Sequence, residues 1–380
     1  MVGDYVRLDT RIEKPYIMTT NTKVAAGTPL TTQPNITLAQ SKRHYATEDA
    51  CKALLRDMRW PDGPRCPRCQ SDKVYALKAR PFHWVCKNKD CGGRNGYRFS
   101  VITKTIFENT NYPLKTWVEV ISLMGQSKKG ISALHIHRQI GSGDYRTPWF
   151  MCHRIRAAMK DEAFPKLMGT VEVDETYIGG KDRNRHWNKQ SRQQREAGTR
   201  FGFGKSGAIG AISRKGNVVC QMMQHGDFKT YNGFVRKVVD QKVDLVATDE
   251  NRTYNYLGLP HAAVTHSQHE YVRGEVHTNN MESFWSLLKR GVVGTFHNLS
   301  KEYLPLYLAE FQFRFNNRKN PDIFRAILAG CRGRHTGSGL SVVERPIHQG
   351  QIAMASIGYH FARNHHAQSK AAFTSSTDIP

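Results

Sequence analysis

The sequence predicts a multidomain α/β protein, and three observations carry that expectation. Four of its eight cysteines fall in two close pairs between Cys66 and Cys91. The run from Pro113 to about Lys160 has helical periodicity and is interrupted twice, and from Gly169 onward strand-like and helix-like segments alternate. At 380 residues the chain has room for two or three domains and at least one sizeable core.

Residues 1–44 read as a flexible segment rich in Thr, Gly, Pro and small polar residues. A helix is expected from about Thr47 to Arg59: Thr47 can cap it, Glu48 and Asp49 suit its first turn, and Cys51, Leu54, Leu55 and Met58 fall at helical spacing. Cys66 and Cys69 then stand in "CPRC", and Cys86 and Cys91 follow in "CKNKDC". Two close thiol pairs on tight turns suit a tetrahedral Zn²⁺ bound by all four sulfurs. A redox C-x-x-C explains the first pair and leaves the second without a reason. A site saturated by four sulfurs has no open position, so residues 45–108 are expected to form a structural zinc ribbon. Arg65, Arg68, Lys73, Lys78, Arg80, Lys87 and Lys89 make that ribbon a candidate contact for DNA or protein. Cys51, Cys152, Cys220 and Cys331 are scattered and read as isolated thiols.

Residues 109–165 read as three helices separated at "KKG" and "GSGDYRTP", a helix-turn-helix-like segment. Its third helix, about 146–160, is the candidate recognition helix, with Arg146, His153, Arg154, Arg156 and Lys160 facing phosphates or bases. The competing reading is a plain helical linker with solvated charges.

The charge balance points the same way. With 56 basic and 32 acidic residues the chain carries a formal +24, a field that attracts polyanions. No apolar run of 18 residues and no basic amphipathic helix with a broad apolar face suggests a membrane, and "MVGDYVRLDT" lacks a secretory layout. The expected partner is nucleic acid, with no membrane, in an intracellular protein.

In the third region, 166–320, strands are expected at 170–178, 207–213, 217–224, 244–248 and 262–266, and helices at 230–241, 279–290 and 301–316. Asp is depleted in strands, so Asp174 inside "VEVDETYIGG" needs a reason to be there. Asp249 follows the apolar run "VDLVAT", and sites in open α/β sheets form at such strand ends. In the helix 279–290, Met281, Phe284, Trp285 and Leu288 form the apolar stripe, and Glu282 and Lys289 share one edge of it. Three carboxylates gathered from two strand ends and a helix repel one another unless cations bind, and hard oxygen ligands favour Mg²⁺ or Mn²⁺. Two such ions can activate a water or a 3′-hydroxyl and stabilise a leaving oxygen. The alternative is three ordinary surface acids. Glu172 and Glu175 read as bystanders, and His266, His269 and His277 as polar loop residues.

Longer stretches carry a resemblance. "VEVDETYIGGK", "TDENRTYNYLG" and "VHTNNMESFWSLLKRGVVGTFHNLSKEYLPLYLAEFQFRFNNR" closely resemble the ISXO-like DDE transposases of bacterial insertion sequences, and "MRWPDGPRCPRC" with the second cysteine pair resembles the zinc ribbon that precedes their catalytic domain. The resemblance covers roughly 45–320, leaving 1–44 and a C-terminal tail, 321–380, outside it. It implies an RNase H-like catalytic core that cleaves element ends and joins the 3′-hydroxyl to target DNA. Carried over by position, it implies Asp174, Asp249 and Glu282 as metal-binding catalytic acids. It also implies Lys289, with Arg290 beside it, on the DNA backbone, and Asn279 as a residue that shares or replaces the role of Glu282. It further implies double-stranded DNA as partner, a homodimer or higher assembly that pairs two ends, and a cytoplasmic, nucleoid-associated bacterial protein. Two other readings remain open: a regulator derived from a transposase, and a nuclease of the same fold that does not transpose.

Overall fold

Thr47 turns extended chain into helix α2 (Glu48–Arg59), its hydroxyl accepting the amide of Ala50 at 3.2 Å. The computed structural model describes residues 38–92, 95–160, 164–179, 205–214, 216–224, 226–249, 254, 257–263 and 277–332. The chain divides after Pro34, and all of these residues belong to the second unit. Ahead of α2, part of the expected flexible segment is helix α1 (Leu38–His44), with Ser41 buried and Lys42 paired to Glu119 at 2.8 Å.

Strands β1 (Val74–Ala76), β2 (His83–Cys86) and β3 (Tyr97–Ser100) form an antiparallel sheet in that order, with a short helical turn α3 (Lys89–Gly92) before the last. Trp84 and Phe99 face each other across β2 and β3, and Trp60 packs edge-on against Trp84 with ring centroids 5.3 Å apart. These aromatics and the cysteine cluster supply the core that so small a sheet otherwise lacks. Arg59 ties α2 to the exit of the sheet by donating to the carbonyls of Val101 and Thr103.

Three helices follow, α4 (Leu114–Gln126), α5 (Ala133–Ile140) and α6 (Arg146–Ala158), and the two breaks fall where the glycines stand. Gly141 ends α5 with φ +63°, a left-handed conformation that glycine adopts at no steric cost. Helix α6, expected as the recognition helix, is buried along most of its length: Met151, Cys152, His153, Ile155, Arg156, Ala157 and Ala158 are all inside. Its second face is covered by a later helix that spans Leu304–Asn316.

The largest sheet is mixed. Strands β4 (Thr170–Ile178), β5 (Ser206–Ser213) and β6 (Val218–Met223) are antiparallel neighbours, and β7 (Leu245–Thr248) and β8 (His261–Ala263) add to β4 in parallel, giving the order β6-β5-β4-β7-β8. Positions 264–266 of the last expected strand lie outside the described residues. Helix α7 (Phe228–Val238) covers one face, packing Tyr231, Phe234 and Val235 on Val171, Val173, Ile209 and Ala211. Helices α8 (Asn279–Gly291) and α9 (Leu304–Asn316) cover the other, packing Met281, Phe284, Trp285, Leu288, Leu308 and Phe311 on Ala208, Ile212 and Val218. The alternation of Ala208 and Ile212 with Ile209 and Ala211 is what a strand buried on both faces requires. At Gly210 the sheet and α8 approach so closely that a Cβ there would fall 2.4 Å from Met281 Cε.

Strand β6 is an edge, and α9 closes it: Asn316 and Gln312 accept the amides of Val218 and Cys220 at 2.8 and 2.9 Å. Beyond α9, helix α10 (Ile323–Gly330) is capped by Asp322, whose carboxylate accepts the amide of Arg325 at 3.0 Å. It packs through Phe324, Ile327 and Leu328 against α4, so residues 321–332 belong to the folded body and not to a tail. Among the described residues no helix is long and apolar enough to cross a membrane.

Candidate active site

Register brings the first two acids together. Strands β4 and β7 are parallel with Glu172 opposite Ala247, so two residues further along each strand stand Asp174 and Asp249. Beyond Thr248 strand β7 ends, while β4 continues to Ile178, paired among the described residues with β5 alone. Over that open edge, side chains from both faces of β4 meet. Asp174, Glu175 and Asp249 each bring a carboxylate oxygen within 4.8 Å of the others. Glu175, read from the sequence as a bystander, is therefore in the cluster, and the hydroxyl of buried Tyr254 donates to it at 2.8 Å. No sequence signal marks it, because alternation assigns adjacent strand residues to opposite faces and takes no account of where the neighbouring strand stops.

Asp174 feels this crowding. Burial pushes its carboxyl up, and the charges of Glu175, Asp249 and Glu282 push in the same direction, to about 7. Such a carboxylate is held charged only when a cation compensates it, and oxygen donors alone suit a hard divalent ion.

Glu282, in the first turn of α8, lies outside the tight cluster and completes a groove of about 710 Å³ in which Asp174, Glu175 and Glu282 form the acidic wall. Lys289 and Arg290 from α8, and Lys129 from the turn between α4 and α5, line the same groove as cations. The turn carrying Lys129 is held tightly. Arg314 donates to the carbonyls of Met124 and Ser127, and a Cβ at Gly291 would fall 3.2 Å from the carbonyl of Lys129. Asn279 is exposed at the start of α8 and is not among the groove residues.

The start of α8 is fastened to β4. Glu172, fully buried, accepts the amides of Asn280 and Met281 at 2.9 and 3.2 Å and the side-chain amide of Asn280 at 2.7 Å. Arg214 Nε and His277 Nδ1 each lie 3.2 Å from its Oε1. His266 and His269 lie outside the described residues.

The four cysteines converge as expected. Cys66 and Cys91 sulfurs are 3.6 Å apart, Cys69 and Cys86 sulfurs 3.7 Å, and all four lie within 4.8 Å of one another. Sulfurs about 2.3 Å from a tetrahedral centre are about 3.8 Å apart, so the set fits one ion without rearrangement.

The residues expected to face DNA from α6 do not form one surface. Arg156 is 1% exposed, and its guanidinium is committed to Glu310 at 2.6 Å and stacks on the ring of Tyr307. His153 is equally buried, stacked on Tyr303, and burial holds it well below its ordinary value, so it is neutral. Arg154 is half-buried and donates to the carbonyl of Glu108, Lys160 lies half-buried beyond the helix end, and Arg146 is exposed beside Asp144. Periodicity assigns α6 one apolar face; the second face is buried because α9, more than a hundred residues on, covers it.

Residues 166–316 match the ISXO2-like transposase domain, and residues 46–94 match the transposase zinc-ribbon domain. An uncharacterized protein in transposable element ISH50 of Halobacterium salinarum is 26% identical over 287 residues, 71% of this chain and 91% of that protein. An uncharacterized transposase-like protein of Haemophilus influenzae is 33% identical over 86 residues, 21% of this chain and 68% of that protein. Among solved structures, a simian T-cell lymphotropic virus intasome in complex with PP2A regulatory subunit B56 gamma matches 52% of this chain and 65% of that chain at 11% identity. Its TM-score of 0.24 is below the level at which a shared fold follows. With a zinc-ribbon domain ahead of a DDE domain, and an insertion-sequence protein as a relative along most of its length, the chain belongs to the ISXO2-like transposase family.

Proposed function

We propose that this protein is the transposase of an insertion sequence, cleaving DNA at the element's ends and joining the resulting 3′-hydroxyls to target DNA. The observation that carries the reading is the acidic cluster of Asp174, Glu175 and Asp249, beside a groove that Glu282, Lys129, Lys289 and Arg290 also line. A central β4 with antiparallel β5 and β6 on one side and parallel β7 and β8 on the other supports an RNase H-like core. Bound there, two Mg²⁺ or Mn²⁺ ions would activate the attacking oxygen and neutralise the leaving one. The chain's own residues do the rest. Asp174, Asp249 and Glu282 would hold the ions, with Glu175 as a further oxygen donor, and Tyr254 fixes the Glu175 carboxylate. Lys289, Arg290 and Lys129 would hold the phosphodiester backbone along the groove. The cysteine set would hold a structural Zn²⁺ with no part in the reaction, and Arg146 remains an exposed candidate for DNA contact outside the groove. Two element ends must be brought together, which favours a dimer or larger assembly in the bacterial cytoplasm.

The test is a strand-transfer assay on labelled DNA carrying the element's own ends, with Mg²⁺ or Mn²⁺, comparing the protein with Asp249→Asn. Joined products that require the metal and vanish in the variant are expected. Cutting without joining would replace the reading by a nuclease, and end-specific binding with neither product by a regulator. Lys129 has its own signature. Lys129→Ala should reduce by about 0.9 the slope of log affinity for DNA against log salt, as expected for one lost phosphate contact. An unchanged slope, measured by titration at several salt concentrations, removes Lys129 from the DNA path.

A further inference from the structure

Helix α8 begins without help from its own residues. The side chain of its N-cap, Thr278, makes no capping bond; its hydroxyl donates instead to Glu282 Oε1 at 3.1 Å. The first amides of a helix have no partner within it and need an acceptor when buried. Here the acceptor comes from a strand 108 residues earlier: Glu172 Oε2 takes the amides of Asn280 and Met281. Its Oε1 takes the Asn280 side chain, with Arg214 Nε against the same oxygen. A buried anion at a helix N-terminus also meets the positive end of the helix dipole.

The spacing gives this contact its meaning. Glu172 is two residues before Asp174, on the same face of β4, and Asn280 is two residues before Glu282 on α8. The two elements that carry the acids of the groove are thus joined one short step from those acids. We propose that Glu172 is a positioning residue that sets the distance between Glu282 and Asp174 by fastening the first turn of α8 to β4. The proposal rests on the transposase reading of the groove and adds to it a residue that touches neither metal nor DNA. A shift of about 1 Å at such a site can cost about a hundredfold in rate.

Glu172→Gln in the full chain tests it. Glutamine keeps the volume, but its NH₂ must face donors that the carboxylate accepted. The single-turnover rate of strand transfer at saturating end DNA should fall about a hundredfold while the affinity for that DNA stays within about twofold. Amide exchange should quicken only in peptides covering 279–283. If the glutamine protein exchanges throughout its body, Asn280→Ala takes its place. It removes only the exposed arm of the contact and should give the same pattern at about a tenfold loss of rate. A normal rate alongside faster exchange overturns the positioning role, and unchanged exchange overturns the contact itself. An original protein that joins no ends overturns the proposed function instead, an outcome distinct from an active protein indifferent to Glu172.

Discussion

Asp174→Asn is expected to lower strand transfer by about a thousandfold or more while making the protein more stable when no Mg²⁺ or Mn²⁺ is added. The two effects have one cause. Burial first, then the charges of Glu175, Asp249 and Glu282, raise the folded Asp174 carboxyl to about 7, against an ordinary value of 3.8. A raised folded value means the native state holds its proton more tightly than the unfolded chain does. Stability from this group is therefore complete below about pH 4 and is lost as the pH climbs toward 7. Above 7 the full cost stands, on the order of 4 kcal/mol at most. Asparagine has no charge to bury and should show no such loss. Thermal unfolding at pH 5 and pH 8 should find the variant's advantage clearly larger at pH 8, because at pH 5 only part of the loss has accrued. Mn²⁺ should raise the midpoint of the original protein more than that of the variant. Equal midpoints at pH 8, or a variant that still joins DNA, would remove Asp174 from its assigned place.

The second large effect is expected far from the groove. Glu310→Ala should destabilise the protein by about 3–5 kcal/mol, because it strands two buried guanidiniums. Glu310 is fully buried, bonded to Arg156 and Arg314 at 2.6 Å each. Burial alone would push its carboxyl up, but the two arginines overcome that and hold it below the usual glutamate value. A depressed value reverses the sign found for Asp174: this contribution is present above the unfolded glutamate value and is lost as the pH falls below it, through the lower folded value. Denaturant unfolding with zinc present reads the difference directly. A loss under about 1 kcal/mol would mean that the arginines find other partners.

Much of this architecture was legible. The strands expected at 170–178 and 207–213, the helix starting at Asn279 and its stripe of Met281, Phe284, Trp285 and Leu288 follow from local periodicity, which short-range sterics decide. The cysteine spacing was legible because two tight turns place sulfurs with little help from the rest of the chain. What was not legible depends on partners distant in sequence. Arg156 resembles a solvated helix cation until α9 covers it, and Glu172 resembles a solvent-facing strand acid until α8 lands on it. Helix α10 is a different case: Asp322 as a cap ahead of Ile323, Phe324, Ile327 and Leu328 is an ordinary local signal within a stretch that reads as a mixed tail.

The joint made by Arg156, Glu310 and Arg314 has a consequence for how this chain can be dissected. Arg156 precedes residue 166, where the transposase domain begins by homology, while Glu310 and Arg314 lie near its end. A fragment cut at that boundary would expose the face of α9 that α6 covers and leave Glu310 with one arginine in place of two. The inherited module is thus smaller than the cooperative unit, and the helices between ribbon and catalytic sheet should melt together with the sheet in a single transition.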